Sequence, residues 1–98
     1  MIELEVTKML EKQIEAYLVK KVKEKGGIAY KFTSPQNRGV CDRIVVLPGR
    51  VIFVEVKQPK GKLSELQKRF EDTITGYELE YACLWDKDDV DNFMWGLE

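Results

Sequence analysis

The sequence predicts an α/β domain with a mixed β-sheet, its elements in the order α-β-β-β-α-β-α, and three features carry that expectation. Leu10, Ile14, Leu18 and Val22 recur at four-residue steps, the spacing of one helical face. Two β-branched runs flank Pro48-Gly49, the pattern of a hairpin. A helix signal then separates the second run from a further apolar strand, so a crossover makes those two strands parallel neighbours.

Taken in order, residues 7 to 25 read as an amphipathic helix stopped by Gly26-Gly27, and Ile28 to Phe32 as a short strand. TSPQNRG, residues 33 to 39, is rich in turn formers and predicts an exposed loop. Asp42 to Leu47 and Val51 to Lys57 form the hairpin. Beyond the breaker QPKGK, Ser64-x-x-Gln67 has capping-box spacing and opens a helix to about Thr75, with Leu66 and Phe70 facing inward and Gly76 ending it. Tyr81 to Trp85 reads as the last strand, and Asp86 to Asp89 caps a final helix carrying Val90, Phe93 and Met94. Trp85 and Trp95 are expected in packing or at a subunit interface.

A hydrophobic content of 44% suffices for one core, and no linker divides the chain, so residues 1–98 are expected to form one domain. A domain of this size is marginal alone, which favours a dimer. No apolar run approaches the roughly 20 residues that span a bilayer, and the N-terminal stretch is charged, unlike a signal peptide. The expectation is a soluble, cytoplasmic protein with no membrane partner. Histidine is absent, and Cys41 and Cys83 lack CxxC spacing. That excludes the usual zinc sites, Ser-His-Asp triads and Cys-His nucleophiles. Any catalysis must use carboxylates and lysine, with or without a hard metal ion.

The net charge of -1 conceals a segregation. Residues 20 to 69 hold 13 Lys/Arg against 4 Asp/Glu, whereas residues 70 to 98 hold 1 against 9. A positive surface on a nominally neutral chain suits a polyanion.

If the hairpin turns symmetrically about Pro48-Gly49, paired residue numbers sum to 97, and Asp42 lies opposite Glu55. The strand period of two puts Val51, Phe53, Glu55 and Lys57 on one face, with Ile52, Val54 and Val56 facing the core. Like charges directly opposite are destabilising, so the two acids need a reason to be neighbours. A divalent cation with oxygen ligands supplies one.

Gly39-Val40-Cys41-Asp42, the strand pair, Glu55-Val56-Lys57, then Gly61-Lys62-Leu63-Ser64 and Gln67 resemble the VRR-NUC branch of the PD-(D/E)XK nucleases. The opening helix EKQIEAYLVKKVKEKGG also resembles that branch, so the likeness runs from about residue 8 to 90. One departure is Cys41, where the family usually has proline, and with no histidine to activate it a catalytic Cys41 is not expected. The resemblance implies a restriction-endonuclease-like core and a Mg²⁺-dependent endodeoxyribonuclease, with Mn²⁺ as a substitute ion. It implies Asp42 and Glu55 as metal ligands, the Val56 carbonyl as a further one, and Glu15 or Glu11, one helical turn apart, completing the set. Lys57 would orient or help deprotonate the attacking water, and Gln67 would help place that water or the phosphate. Lys20, Lys21, Lys23 and Lys25 end the first helix, while Arg38, Arg43, Lys60 and Lys62 flank the proposed site. Phosphate contacts from Lys20, Arg38, Arg43, Lys60 and Lys62 would give salt-dependent DNA binding. Stand-alone members resemble Holliday-junction resolvases, so a homodimer acting on a four-way junction in a bacterial or phage-infected cell is expected. The alternatives are a nuclease-like module that grips DNA without cutting it, a flap or single-strand nuclease, and a structural domain whose charges are merely solvated.

Overall fold

A computed structural model describes residues 2–97, with side chains from Glu5 onward; Met1 and Glu98, the ends of the expected 1–98 domain, lie outside the described residues. The elements are α1 (Ile2–Glu24), β1 (Ile28–Lys31), β2 (Arg43–Leu47), β3 (Arg50–Val56), α2 (Glu65–Gly76), β4 (Glu80–Leu84) and α3 (Lys87–Trp95). The expected order is present, and the strands lie in one sheet in the order β1-β2-β3-β4. β1 and β2 pair antiparallel, as do β2 and β3, whereas β3 and β4 are parallel across the α2 crossover.

The hairpin register follows the turn. Leu47 pairs with Arg50 and Arg43 with Val54, so partner numbers sum to 97 as expected. Proline fixes the first central residue, and Gly49 takes φ 71°, the positive angle that the second position of a type II turn requires. At the start of β3, next to the turn, Arg50 grips Glu80 through two hydrogen bonds of 2.8 and 2.6 Å and pins the start of the parallel pair.

One face of the sheet carries the main core. Val45, Ile52, Val54, Val56 and Leu84 meet Ile14, Leu18 and Val22 of α1 and Val90 and Met94 of α3, all buried. Phe32, Phe53, Phe70 and Tyr81 form a second cluster, with ring centroids 6.0–6.4 Å apart, through which α2 packs on the opposite face. The sheet thus lies between α1 with α3 and α2.

Three details differ from the sequence reading, at the start of α1, at Leu66 and at the end of α2. α1 begins five residues earlier than expected, and Val6 and Met9 in its early part are exposed. Leu66 faces solvent at 42% exposure instead of inward, and Phe70 supplies the aromatic contact of α2. Gly76 remains helical, and the left-handed residue past α2 is Glu78, at φ 61°. Trp95 is 77% exposed within this chain.

Candidate active site

Asp42 sits one residue before β2, and both its backbone and its side chain are held. Its carbonyl accepts from the Phe32 amide at 3.0 Å, which continues the β1–β2 ladder. Its Oδ2 accepts from the Val56 amide at 2.8 Å. The hairpin register carries Asp42 opposite Glu55, on the face that also bears Phe53 and Tyr81. Glu55 is 3% exposed and is the one buried charged residue among those described.

Burial is the first cause that pushes the Glu55 carboxyl up to about 8, and the charge of Asp42 and a hydrogen bond with it are the next; Lys57 opposes the shift and Glu11 adds to it. The protein alone therefore keeps a proton on this acid at neutral pH. Gln67 Nε2 donates to Glu55 Oε2 at 3.3 Å, while the same amide's Oε1 accepts from the Ser64 backbone at 2.8 Å. Ser64 Oγ in turn accepts from the Gln67 backbone N–H, so the capping box that starts α2 also aims the Gln67 side chain at Glu55.

Lys57 follows on the same face, its amide donating to Leu84 O at 2.9 Å in continuation of the β3–β4 ladder. Val56 contributes its amide to Asp42, and its side chain is buried in the main core. Glu11 reaches the end of β3, where its Oε2 accepts from the Gln58 amide at 3.3 Å. Glu15 and Arg43 stand elsewhere, contrary to the expectation that Glu15 could complete the ligand set and Arg43 meet DNA. Arg43 is adjacent to Asp42 and so points to the other face, towards α1, where its Nε donates to Glu15 Oε2 at 2.6 Å and its Nη1 to Ala29 O at 3.0 Å. Lys31 adds a second cation to Glu15 at 3.0 Å. These charges tie helix to sheet.

Lys20, Arg38, Lys60 and Lys62 are exposed and have no acidic partner among the described residues. The turn bearing Lys60 and Lys62 is fastened by the Trp85 indole, which donates to Gly61 O at 3.0 Å. Sequence reasoning placed Trp85 in packing or at a subunit interface and missed this fastening, for which no local motif exists. Cys41 is buried, and burial pushes its thiol up to about 12, consistent with an inert side chain.

No group of three or more His, Cys, Asp or Glu side chains forms a metal cage among the described residues. The donors present are two adjoining carboxylates, and their chemistry fits Mg²⁺ or Mn²⁺. Mg²⁺ is commonly held by one or two carboxylates and completes its shell with waters and substrate phosphates.

Among solved structures, one described as "VRR_NUC domain" superposes with a TM-score of 0.84 at 23% identity, over 90% of this chain and 97% of that one. The chain has the VRR_NUC fold. "Putative nuclease p44" from Acyrthosiphon pisum secondary endosymbiont phage 1 is 55% identical over 60 residues, or 60% of this chain. The chain spans 64% of the length of that relative. No family model matches the sequence. In this VRR_NUC fold the acids lie where the β2–β3 hairpin meets the start of α2, and Gln67 belongs to both the helix cap and the acid pair.

Proposed function

We propose that this chain is a metal-dependent nuclease that hydrolyses phosphodiester bonds in DNA. The observation that carries the reading is the buried Glu55 carboxyl against Asp42, on the face that also bears Lys57 and receives Gln67. Two adjoining acids in a half-dry site are unfavourable unless a proton or a cation lies between them. The fold likeness and the similarity to a phage protein named as a nuclease support the same reading.

Asp42 and Glu55 would hold Mg²⁺ or Mn²⁺ with the Val56 carbonyl as a further oxygen donor, and Glu11 would join them by releasing the Gln58 amide. When bound, such an ion activates a water and neutralises charge on the phosphate, work that needs no histidine. Lys57 presents its ammonium to the scissile phosphate and orients the attacking water. Gln67, fixed by the α2 cap, positions that water or a phosphate oxygen. Lys20, Arg38, Lys60 and Lys62 hold the backbone of the strand, which gives affinity with little sequence preference.

The preferred substrate is branched DNA, of which a four-way junction is the type, cut in the cytoplasm of a bacterial or phage-infected cell by a homodimer whose two sites meet opposed strands. The restriction to branched substrates rests on fold analogy. Ile28, Tyr30 and Val51, roughly half exposed on the sheet, offer apolar surface for the second subunit. The test incubates the protein with four-way junctions, flaps and linear duplex, in Mg²⁺ and in EDTA. Cleavage of branched DNA only with metal, lost in Glu55→Gln while binding persists, is the expected result. Failure to cut any of these DNAs in Mg²⁺ or Mn²⁺ would sink the reading.

A further inference from the structure

A groove that the reading above does not use opens between residues 33–40 and α2, with a volume of about 450 Å³. Phe32, Val40, Leu66 and Phe70 supply its apolar walls, Arg38 and Arg69 line it as well, and no carboxylate does. Neither guanidinium has an acidic partner among the described residues. Gly39 holds the loop against the helix: it takes φ 86°, and a Cβ there would meet the Leu66 backbone at 2.6 Å. Loop and helix backbones therefore fix the groove's width before anything binds.

Its chemistry points to a flat apolar ligand flanked by anions. The Phe32 and Phe70 rings, 6.1 Å apart and tilted by 55°, give an aromatic wall, and Leu66 is a large apolar side chain left 42% exposed beside it. A nucleobase carrying its own phosphates meets both requirements, the base by stacking and the phosphates by the two guanidiniums. The groove also adjoins the acids. The Phe32 amide bonds to Asp42 O, Val40 lies two residues before Asp42, and Leu66 precedes Gln67, whose amide meets Glu55.

We propose that this groove receives one unpaired base of the DNA strand being cut, with Arg38 and Arg69 on the phosphates beside it. The inference rests on the nuclease reading for its substrate, and it supplies a physical basis for choosing branched DNA that carries an unpaired strand, such as a flap, over continuous duplex. A base must leave the helical stack to enter, and this costs least where it is already unpaired.

The test is fluorescence anisotropy in EDTA, so that cleavage plays no part, on three labelled DNAs: linear duplex, duplex with a short unpaired flap, and the same flap built from abasic residues. Wild type should bind the flap about tenfold tighter than its abasic counterpart, within the range of base–aromatic stacking. Leu66→Ser should remove that difference and leave duplex affinity within about twofold, and Arg69→Ala should weaken binding to both flaps. Equal affinity of wild type for the two flaps overturns the proposal without recourse to any variant. So does a base preference that survives Leu66→Ser, an Arg69→Ala variant that binds like wild type, or no binding to any of the DNAs. A base preference in a protein that cuts nothing in Mg²⁺ leaves the groove assigned and removes the nuclease reading; cleavage without a base preference does the reverse.

Discussion

With its carboxyl pushed up to about 8 by burial and by Asp42, Glu55 keeps a proton over a range in which an unfolded chain, with its ordinary value of 4.5, has released it. Between those values the native state binds more protons than the unfolded state, so stability falls as pH rises. Metal-free protein should therefore be more stable near pH 5 than near pH 9, by on the order of 3 kcal/mol, as judged by urea denaturation in EDTA. Glu55→Gln should flatten that dependence and raise stability at pH 9 while abolishing cleavage. A variant with the same pH slope as wild type would assign the slope to another group. At this scale the sequence was informative because strand alternation gives each residue a face. Asp42 and Glu55 share one, whereas Arg43, next in the chain, must take the other, where it meets Glu15. The choice between Glu11 and Glu15 was not legible, because a spacing of four places both on one side of a helix without saying which end of the sheet that side meets.

Among the elements, α2 shows how a local signal becomes a site. Its capping box was legible in Ser64-x-x-Gln67, and the same box fixes the Gln67 amide against Glu55. Ser64→Ala should cost about 1 kcal/mol in stability and reduce cleavage only a few-fold, because the Ser64 amide still holds Gln67 Oε1. Gln67→Ala should match that stability loss but lower kcat tenfold or more, which denaturation and single-turnover kinetics separate. Gly39→Ala should destabilise by roughly 2 kcal/mol or more, since alanine resists a positive φ and its Cβ would strike the Leu66 backbone. That close approach was invisible in the sequence: a glycine in a turn-rich loop says nothing of what it will lie against. The hairpin was legible because Pro48-Gly49 permits a tight turn and the β-branched runs on either side have matching lengths. The early start of α1 was not, because Val6 and Met9 remain exposed and add nothing to the buried face that Ile14, Leu18 and Val22 mark.

At the scale of the whole molecule, the charge is divided between a basic middle and an acidic end. Lys20, Arg38, Lys60 and Lys62 lie on the surface with no acidic partner among the described residues, whereas the Arg43 cation is used internally. Four phosphate contacts predict a DNA affinity that falls roughly 10²-fold between 50 and 200 mM salt. A much shallower slope, measured by anisotropy, would mean that fewer of these cations reach phosphate. The placement of the acid pair beside a basic surface assumes an ion between the acids, and calorimetric titration of Mn²⁺ at pH 8 tests that most directly. Wild type should bind Mn²⁺ with a saturable heat that Glu55→Gln abolishes. Absence of binding to wild type, or equal binding to the variant, would contradict the account.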